Sequence, residues 1–529
     1  MKIRDLLKNV PHTLLQGSEE AEVTGLCHDN RRLQPGDAFI CITGARFDTH
    51  DLTAELARAG ASLIVTQRDV SLPGGDTAVI RVDNTRRIGA ELAAAFYDYP
   101  AQKLTTVAIT GTKGKTTSTH MMGAVLRAAG FVTGTMGSSG AILPDAAARE
   151  LIYGAAAQNA EPSSDTPGYV RYKLTNTTPD AMDVQMYLAM MVASGCTHAV
   201  VEVSSQAMKQ YRVEGITFDY GIWTNIETGD HIGPAEHKNF DEYLCCKAAL
   251  MNHCREVFLN GDDRHAGEFL ARVREGDAGL PERIFTFGQN ADADYHATNL
   301  RRDYDENSRR PGIRFALEGL AALDVQVNLP GSFNMYNALA VCAVASRMGV
   351  GEDAMHRALG YMHVPGRFDI VFDNGHFRVC VDSAHSGYSV RSHLQGLREY
   401  RPKRLVCVFG AGGNRAIARR FEMGEASAEL ADVSIVTSEH NRFEPFETIC
   451  ADILTGIRRG EEVVGHGVAY QVIPDRKEAI RYAITHAQEG DMITILGLGS
   501  DTYQEENGVK HPHSDKDFTL QTARELGLL

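Results

Sequence analysis

The sequence predicts an α/β protein of three domains, and three observations predict it. The chain is 529 residues long, which corresponds to about three domains at ~150 residues each. The stretch VAITGTKGKTTSTHMMGAVLRAAG, Val107 to Gly130, reads as a buried strand, a glycine loop and a helix. The last third of the chain alternates apolar strands with helices, the pattern of a parallel sheet covered on both faces.

Composition narrows the function. A net charge of −15 excludes a general nucleic-acid surface, so any anionic ligand must be met by local basic groups. Hydrophobic residues make up 43% of the chain, enough for several cores. Ten cysteines lie scattered without C-x-x-C spacing, with Cys245 and Cys246 adjacent, which suits reduced thiols in a cytoplasm. MKIRDLLKNV turns polar too soon for a signal peptide, and no apolar run approaches ~18 residues. The expected form is a cytoplasmic monomer without membrane or nucleic-acid partners.

Residues 1–99 read as a small α/β domain. A Pro35-Gly36-Asp37 turn precedes the strand Ala38 to Ile42, LTAELARAGASLIVTQ reads as helix, turn and strand, and a helix from Asn84 to Tyr97 leads to a boundary at Pro100.

Residues 100–364 form the central domain. Val107 to Thr110 ends a strand, Gly111 to Gly114 makes a tight loop, and a helix runs from Lys115 to about Ala129. Backbone N–H groups of such a loop and the positive end of its helix face a polyphosphate. Lys115 would reach the terminal phosphates, and the Thr116 hydroxyl would hold magnesium. Ile109 stands where the first glycine of the full G-x-x-x-x-G-K-[ST] pattern would be. Pro144 to Lys173 reads as a long polar surface excursion, and Asp180 as the N-cap of the next helix. THAVVEVSSQAM is a strand ending at Glu202 and Ser204, where a carboxylate is well placed for magnesium. His231 and His237 lie in a Gly/Pro-rich loop, Lys247 on the helix after it, and Asn334 and Asn337 one turn apart at a helix start.

Residues 365–529 form a third, Rossmann-like domain. RVCVDSAHSG, RLVCVFGAGGNR and MITILGLGSD are apolar strands with glycine or polar ends, and helices Phe446 to Arg459 and Arg476 to Gln488 lie between the later ones.

Several motifs in order resemble the Mur ligases, the ATP-dependent amino-acid-adding enzymes of peptidoglycan synthesis. GLCHDNRRLQPGDAF, GTKGKTT, NTTPD, EVSSQAMKQYRV, DHIGPAEH, EYLCCKA, LPGSFNMYNALA, PGRFD, DSAHSG and FGAGGNR carry the resemblance over nearly the whole chain. It is strongest to the MurE type, which joins a diamino acid to UDP-N-acetylmuramoyl-L-alanyl-D-glutamate. The resemblance implies roles. Gly111, Thr112, Gly114, Lys115, Thr116 and Thr117 would hold ATP, with Asn334, Arg367 and Asp382 as further nucleotide contacts. Thr116, Glu202, His231 and a Lys247 carbamylated by carbon dioxide would bind magnesium. Lys115, His231 and Lys247 would act in catalysis. Asn30, which stands where the family has serine, would lie in the uridine-binding segment. Thr177, Thr178, Ser204 and Arg212 would contact the muramoyl-peptide, and Arg415 a carboxylate of the incoming amino acid. The implied reaction forms an acyl phosphate on the D-glutamate side chain, which the amine of the third amino acid then attacks.

Two stretches depart from the family. Glu439-His440-Asn441-Arg442 replaces Asp-Asn-Pro-Arg, and Gly497-Leu498-Gly499-Ser500-Asp501 replaces Gly-Lys-Gly-His-Glu. The acceptor pocket is edited, and Arg442 and Asp501 remain to meet the far carboxylate and ammonium of the amino acid. Charge counting then places meso-diaminopimelate ahead of L-lysine or L-ornithine. The N-terminal stretch and NTTPD oppose a folate-glutamate ligase. Lys115, Glu202 and Lys247 together oppose a non-catalytic paralogue, and DSAH and PGRFD oppose a generic P-loop kinase.

Overall fold

The computed structural model describes the chain except residues 45–46, 73, 146–159, 164–165, 175, 229–230, 234–235, 277–278, 280 and 306–309. It is mixed α/β and divides into two compact units. One comprises residues 1–111, 126–225 and 241–286, the other 112–125, 226–240 and 287–529. Among the described residues no helix is long and apolar enough to cross a membrane.

The first unit opens with a five-stranded sheet in the order Thr13–Gln16, Ala78–Arg81, Leu63–Thr66, Asp37–Ile40, Gly25–Cys27. Only the first pair is antiparallel. Leu63–Thr66 is buried at every position, as a parallel strand covered on both faces must be. Gly36, at φ +95°, makes the turn that starts Asp37–Ile40 one residue earlier than the sequence indicates. Asn84 caps the helix Thr85–Phe96, its side chain accepting the N–H groups of Arg86 and Arg87.

The second sheet of this unit is centred on Thr105–Thr110. That strand lies parallel between Phe218–Trp223 and His198–Glu202, and Phe218–Trp223 pairs in turn with Cys254–Asn260. Beyond Thr133–Gly137 the sheet becomes antiparallel through Gly140–Pro144, Tyr169–Tyr172 and Ala160–Pro162. This corrects the expected excursion from Pro144 to Lys173. Its described ends are strands, Ala160–Pro162 at the sheet edge and Tyr169–Tyr172 paired on both sides, with Val170 and Tyr172 turned inward in a period-two pattern that the surrounding Ala, Ser and Pro hide. The remainder, 146–159 and 164–165, lies outside the described residues. Asp180 precedes the helix Ala181–Ala193 as expected, but its side chain makes no capping bond. Its carboxylate instead faces His28 at 3.4 Å and Arg212 at 3.4 Å, where two basic groups outcompete a backbone N–H.

The second unit contains the antiparallel strands Tyr295–Asp305, Arg310–Gly319 and Leu323–Val327 and a six-stranded sheet. The order of the latter is Asp369–Asp373, Arg378–Asp382, Asp491–Leu496, Arg404–Phe409, Val433–Val436, Ala469–Val472. All pairs but the first are parallel. In Arg404–Phe409, Leu405, Cys407 and Phe409 enter one core while Val406 and Val408 enter the other. Strict alternation between two apolar layers is what a doubly wound sheet requires. The helix expected over Phe446 to Arg459 continues to Val464, where Gly465 at φ +77° ends it. The helix from Arg476 stops at Thr485.

A fully buried ion pair fastens this sheet to the last helix. Arg476 donates to both oxygens of Asp515 at 2.8 and 2.7 Å and to the carbonyls of Ser438 and Leu496. Neither side chain is exposed. Burial pushes the Asp515 carboxyl up, but Arg476 and then His513 outweigh it and hold it at about 2, below the ordinary 3.8. Its stabilisation is therefore present above the ordinary carboxylate value and is lost as pH falls through about 2. Asp515→Asn is expected to cost about 3–5 kcal/mol by leaving Arg476 buried without its counter-charge. Hydrogen exchange of the Asp491–Leu496 amides reads this loss. The variant should also lack the wild-type weakening between pH 4 and 2; unchanged protection at neutral pH overturns the assignment.

Candidate functional site

The strand Thr105–Thr110 delivers the chain into the glycine loop, and the helix Lys115–Ala128 follows at once. Gly111 and Gly114 have positive φ, +152° and +84°. A Cβ at Gly111 would run into the Thr224 hydroxyl, and one at Gly114 into Asn337 Oδ1. The loop thus keeps its N–H groups accessible by excluding side chains.

In the first unit, Lys247 is 1% exposed and donates from Nζ to the Gly111 carbonyl at 2.7 Å. Glu202 ends the strand His198–Glu202, also 1% exposed, and accepts the Ser138 N–H at 3.1 Å. A Cβ at Gly137 would collide with Glu202 Oε1, so only glycine there admits the carboxylate. The buried Thr178 hydroxyl donates to the Glu202 carbonyl at 2.8 Å and accepts the Ser204 N–H at 3.0 Å. Thr177 Oγ1 lies 3.0 Å from Ser138 Oγ. Arg212 donates to the Thr178 carbonyl at 2.6 Å. Thr177, Thr178, Glu202, Ser204 and Arg212 therefore form one cluster. Asn30 is exposed and stands apart from it, although its neighbour His28 reaches Asp180 beside Arg212.

In the second unit, Lys115 folds back to donate to the Thr112 carbonyl at 3.0 Å, and the Thr112 hydroxyl accepts the Glu227 N–H at 2.9 Å. Thr116 and Thr117 are buried in the first helical turn. Asn334 spends its amide on the Pro330 carbonyl and on Asn337. Asn337, whose Oδ1 faces Gly114 and Ser118, is the residue that abuts the loop. Asp382 accepts the N–H groups of Phe368 and Ala384, each at 2.8 Å. Burial raises its carboxyl, yet His393, Arg367 and the Phe368 N–H outweigh that and hold it below its usual value.

A cavity of about 200 Å³ in this unit gathers His231, Glu236, Arg415, Glu439, His440, Arg442 and Asp501 among its walls. His231 Nδ1 is 3.6 Å from Glu236 Oε1, and Arg415 is 3.5 Å from the same oxygen. Burial, then the neighbouring Arg442 charge, pull the Arg415 guanidinium below its ordinary value, against the opposing pull of Glu236 and Glu439. Arg442 donates to the Gly413 carbonyl at 2.7 Å and lies 3.6 Å from Glu505. Glu439 is 6% exposed, and its Oε2 has no hydrogen-bond partner. Burial pushes its carboxyl up against the pull of His440, Arg476 and Arg442.

Sequence reasoning missed Glu439 and Asn337 as site residues. The signal for Glu439 was the one that found Glu202, a glutamate just past an apolar strand. The loop fits a polyphosphate, since its two glycines leave no space for a Cβ. Among the described residues no three of His, Cys, Asp and Glu converge as metal ligands. Glu202, buried at its strand end, and the Thr116 hydroxyl, buried in the first helical turn, are each oxygen donors of the kind that magnesium takes.

Comparison with known proteins gives a consistent result. The Mur ligase family catalytic domain matches residues 22–97, the Mur ligase middle domain 109–345, and the Mur ligase glutamate ligase domain 366–499. A UDP-N-acetylmuramoyl-L-alanyl-D-glutamate–2,6-diaminopimelate ligase of Syntrophomonas wolfei is 34% identical over 95% of both chains. The Aquifex aeolicus protein of that name is 34% identical, covering 93% of this chain and 92% of its own. A solved ligase of the same name shares the fold, with a TM-score of 0.64 at 24% identity over 100% of this chain and 99% of its own. Similarity of this extent, on a chain with an intact phosphate loop, makes the protein a member of the Mur ligase family and an ATP-dependent acid–amino-acid ligase.

Proposed function

We propose that this ligase adds meso-diaminopimelate, in preference to L-lysine or L-ornithine, to UDP-N-acetylmuramoyl-L-alanyl-D-glutamate in the cytoplasm, as a monomer. The observation that carries the reading is the cavity in which Arg415 and Arg442 stand with Glu439 and Asp501. Diaminopimelate has a carboxylate and an ammonium at each end. Two guanidiniums answer the carboxylates, and two carboxylates answer the far ammonium. Lysine lacks the far carboxylate and would leave one guanidinium without a ligand group to meet. The diaminopimelate ligase names of the Syntrophomonas and Aquifex relatives support the choice.

In this reading residues 1–99 hold the uridine part, with Asn30 in the contacting segment, residues 100–364 hold ATP, and residues 365–529 hold the amino acid. Thr177, Thr178, Ser204 and Arg212 orient the muramoyl-peptide so that its glutamate carboxylate faces the γ-phosphate. Lys115 offsets charge on the phosphates in the glycine loop, and Asn334, Arg367 and Asp382 complete the nucleotide contacts. Attack of the carboxylate gives an acyl phosphate and ADP. Arg415 and Arg442 then hold the acceptor while its near amine attacks the acyl carbon and phosphate leaves. Thr116, Glu202, His231 and carbamylated Lys247 would hold magnesium, which when bound neutralises phosphate charge. A carbamate on Lys247 keeps one N–H for the Gly111 carbonyl and presents two anionic oxygens.

Lys247→Ala is expected to abolish nearly all turnover, with added acetate restoring part of it; full activity of the variant without acid overturns the carbamate role. Glu202→Ala should stop phosphate release while the dissociation constant of the UDP-substrate, read by calorimetry, changes little; parental magnesium dependence and rate would make Glu202 a structural residue only. Diaminopimelate should outcompete lysine by roughly 10- to 100-fold, the equivalent of ~1–3 kcal/mol for one unmatched buried group. Arg442→Ala should erase most of that preference. Lysine winning in the wild type, with Arg442→Ala leaving the order unchanged, refutes the acceptor assignment.

A further inference from the structure

His440 has no counterpart in the phosphate loop or in the muramoyl-peptide cluster, yet it lies in the wall of the acceptor cavity. Its Nδ1 accepts the backbone N–H of Glu505 at 3.0 Å. A ring nitrogen that accepts cannot carry a proton, so the neutral ring bears its hydrogen on Nε2. That nitrogen lies 3.1 Å from Asp501 Oδ2, the one side-chain hydrogen bond of Asp501 among the described residues. The ring also rests against Tyr503, with centroids 5.1 Å apart at 38°. The histidine side chain is 9% exposed and the aspartate 49% exposed. A fixed donor therefore holds a carboxylate that is otherwise exposed enough to rotate.

We propose that His440 is a positioning residue for acceptor selection: its Nε2–H holds the Asp501 carboxylate at the cavity wall, aimed at the far ammonium of the acceptor. The inference rests on the reading that this cavity takes the amino acid. Asp501 is short, and a free aspartate would sample several rotamers and lose that freedom on binding. The bond to His440 removes that loss in advance. The two ring nitrogens divide the work, since Nδ1 anchors the chain at Glu505 and Nε2 orients Asp501.

Substituted amides separate the two nitrogens. His440→Asn leaves an oxygen near Nδ1 for the Glu505 N–H but cannot reach Asp501. His440→Gln places an amide donor near Nε2 and loses the anchor. Steady-state kinetics are expected to show the diaminopimelate KM raised about tenfold in His440→Asn, one hydrogen bond's worth, with the KM values for ATP and the UDP-substrate unchanged. His440→Gln should return the acceptor KM to near the wild-type value. In an Asp501→Asn background His440→Asn should add nothing further. A normal acceptor KM in His440→Asn beside a lowered melting temperature in His440→Gln would make the histidine an anchor only and overturn the proposal. So would an unchanged acceptor KM in Asp501→Asn, a substitution on a half-exposed side chain that does not depend on refolding the core. Arg415→Ala tells the two failures apart. If it raises the acceptor KM while Asp501→Asn does not, the cavity reading stands and the positioning role falls. If neither substitution moves it, the cavity is not the acceptor site.

Discussion

The hydrogen bond from the buried Lys247 ammonium to the Gly111 carbonyl constrains everything built at the end of the central strand. A lysine 1% exposed is costly unless its N–H groups are met. The acceptor is the backbone of the very glycine that begins the phosphate loop. Gly111 also has the Thr224 hydroxyl where a Cβ would be. One residue thus fixes the lysine and starts the loop, and the helix Phe240–Met251 is tied to the strand Thr105–Thr110 through it. The carbamate chemistry proposed for Lys247 would act directly against the loop's first residue for this reason.

Glu202 is held in the same economical way. Gly137 leaves room for its carboxylate, Ser138 supplies an N–H to it, and Thr178 takes its carbonyl. Thr178 in turn receives Arg212 on its own carbonyl. The strand end and the hydroxyl cluster are therefore one hydrogen-bonded object. Ser138 holds the carboxylate while Thr178 and Arg212 hold the backbone behind it, so removing the carboxylate alone leaves the groups assigned to the muramoyl-peptide in place.

Much of this was legible because it is local. GTKGKTT after an apolar strand specifies a loop and helix within a few residues, and Arg404–Phe409 reads as a doubly covered strand from its unbroken apolar run. Glu202 was legible as a polar end to such a run. The remainder depends on partners distant in sequence. Asp180 looked like a cap because caps are local, and lost that role to His28 and Arg212. Asn337 is read against Gly114 only once the chain is folded, and Glu439 is distinguished by burial, which no spacing reports. The strands Ala160–Pro162 and Tyr169–Tyr172 were hidden by a composition typical of loops.

Arg442 sits at φ +53°, a left-handed conformation that a side chain adopts only when held there. The hairpin Tyr503–Glu506 with Val509–Pro512 does the holding. Arg442 N–H donates to the Glu505 carbonyl at 3.1 Å, its carbonyl accepts the Asn507 N–H at 2.5 Å, and Gln504 donates to the Glu439 carbonyl at 2.8 Å. The loop Glu439 to Arg442 and the hairpin are consequently a single structural module, although some sixty residues separate them. Transplanting Glu439 to Arg442 into another ligase would carry the letters without the backbone that gives them direction. Under the proposed acceptor role, a change of acceptor choice would require loop and hairpin to move together.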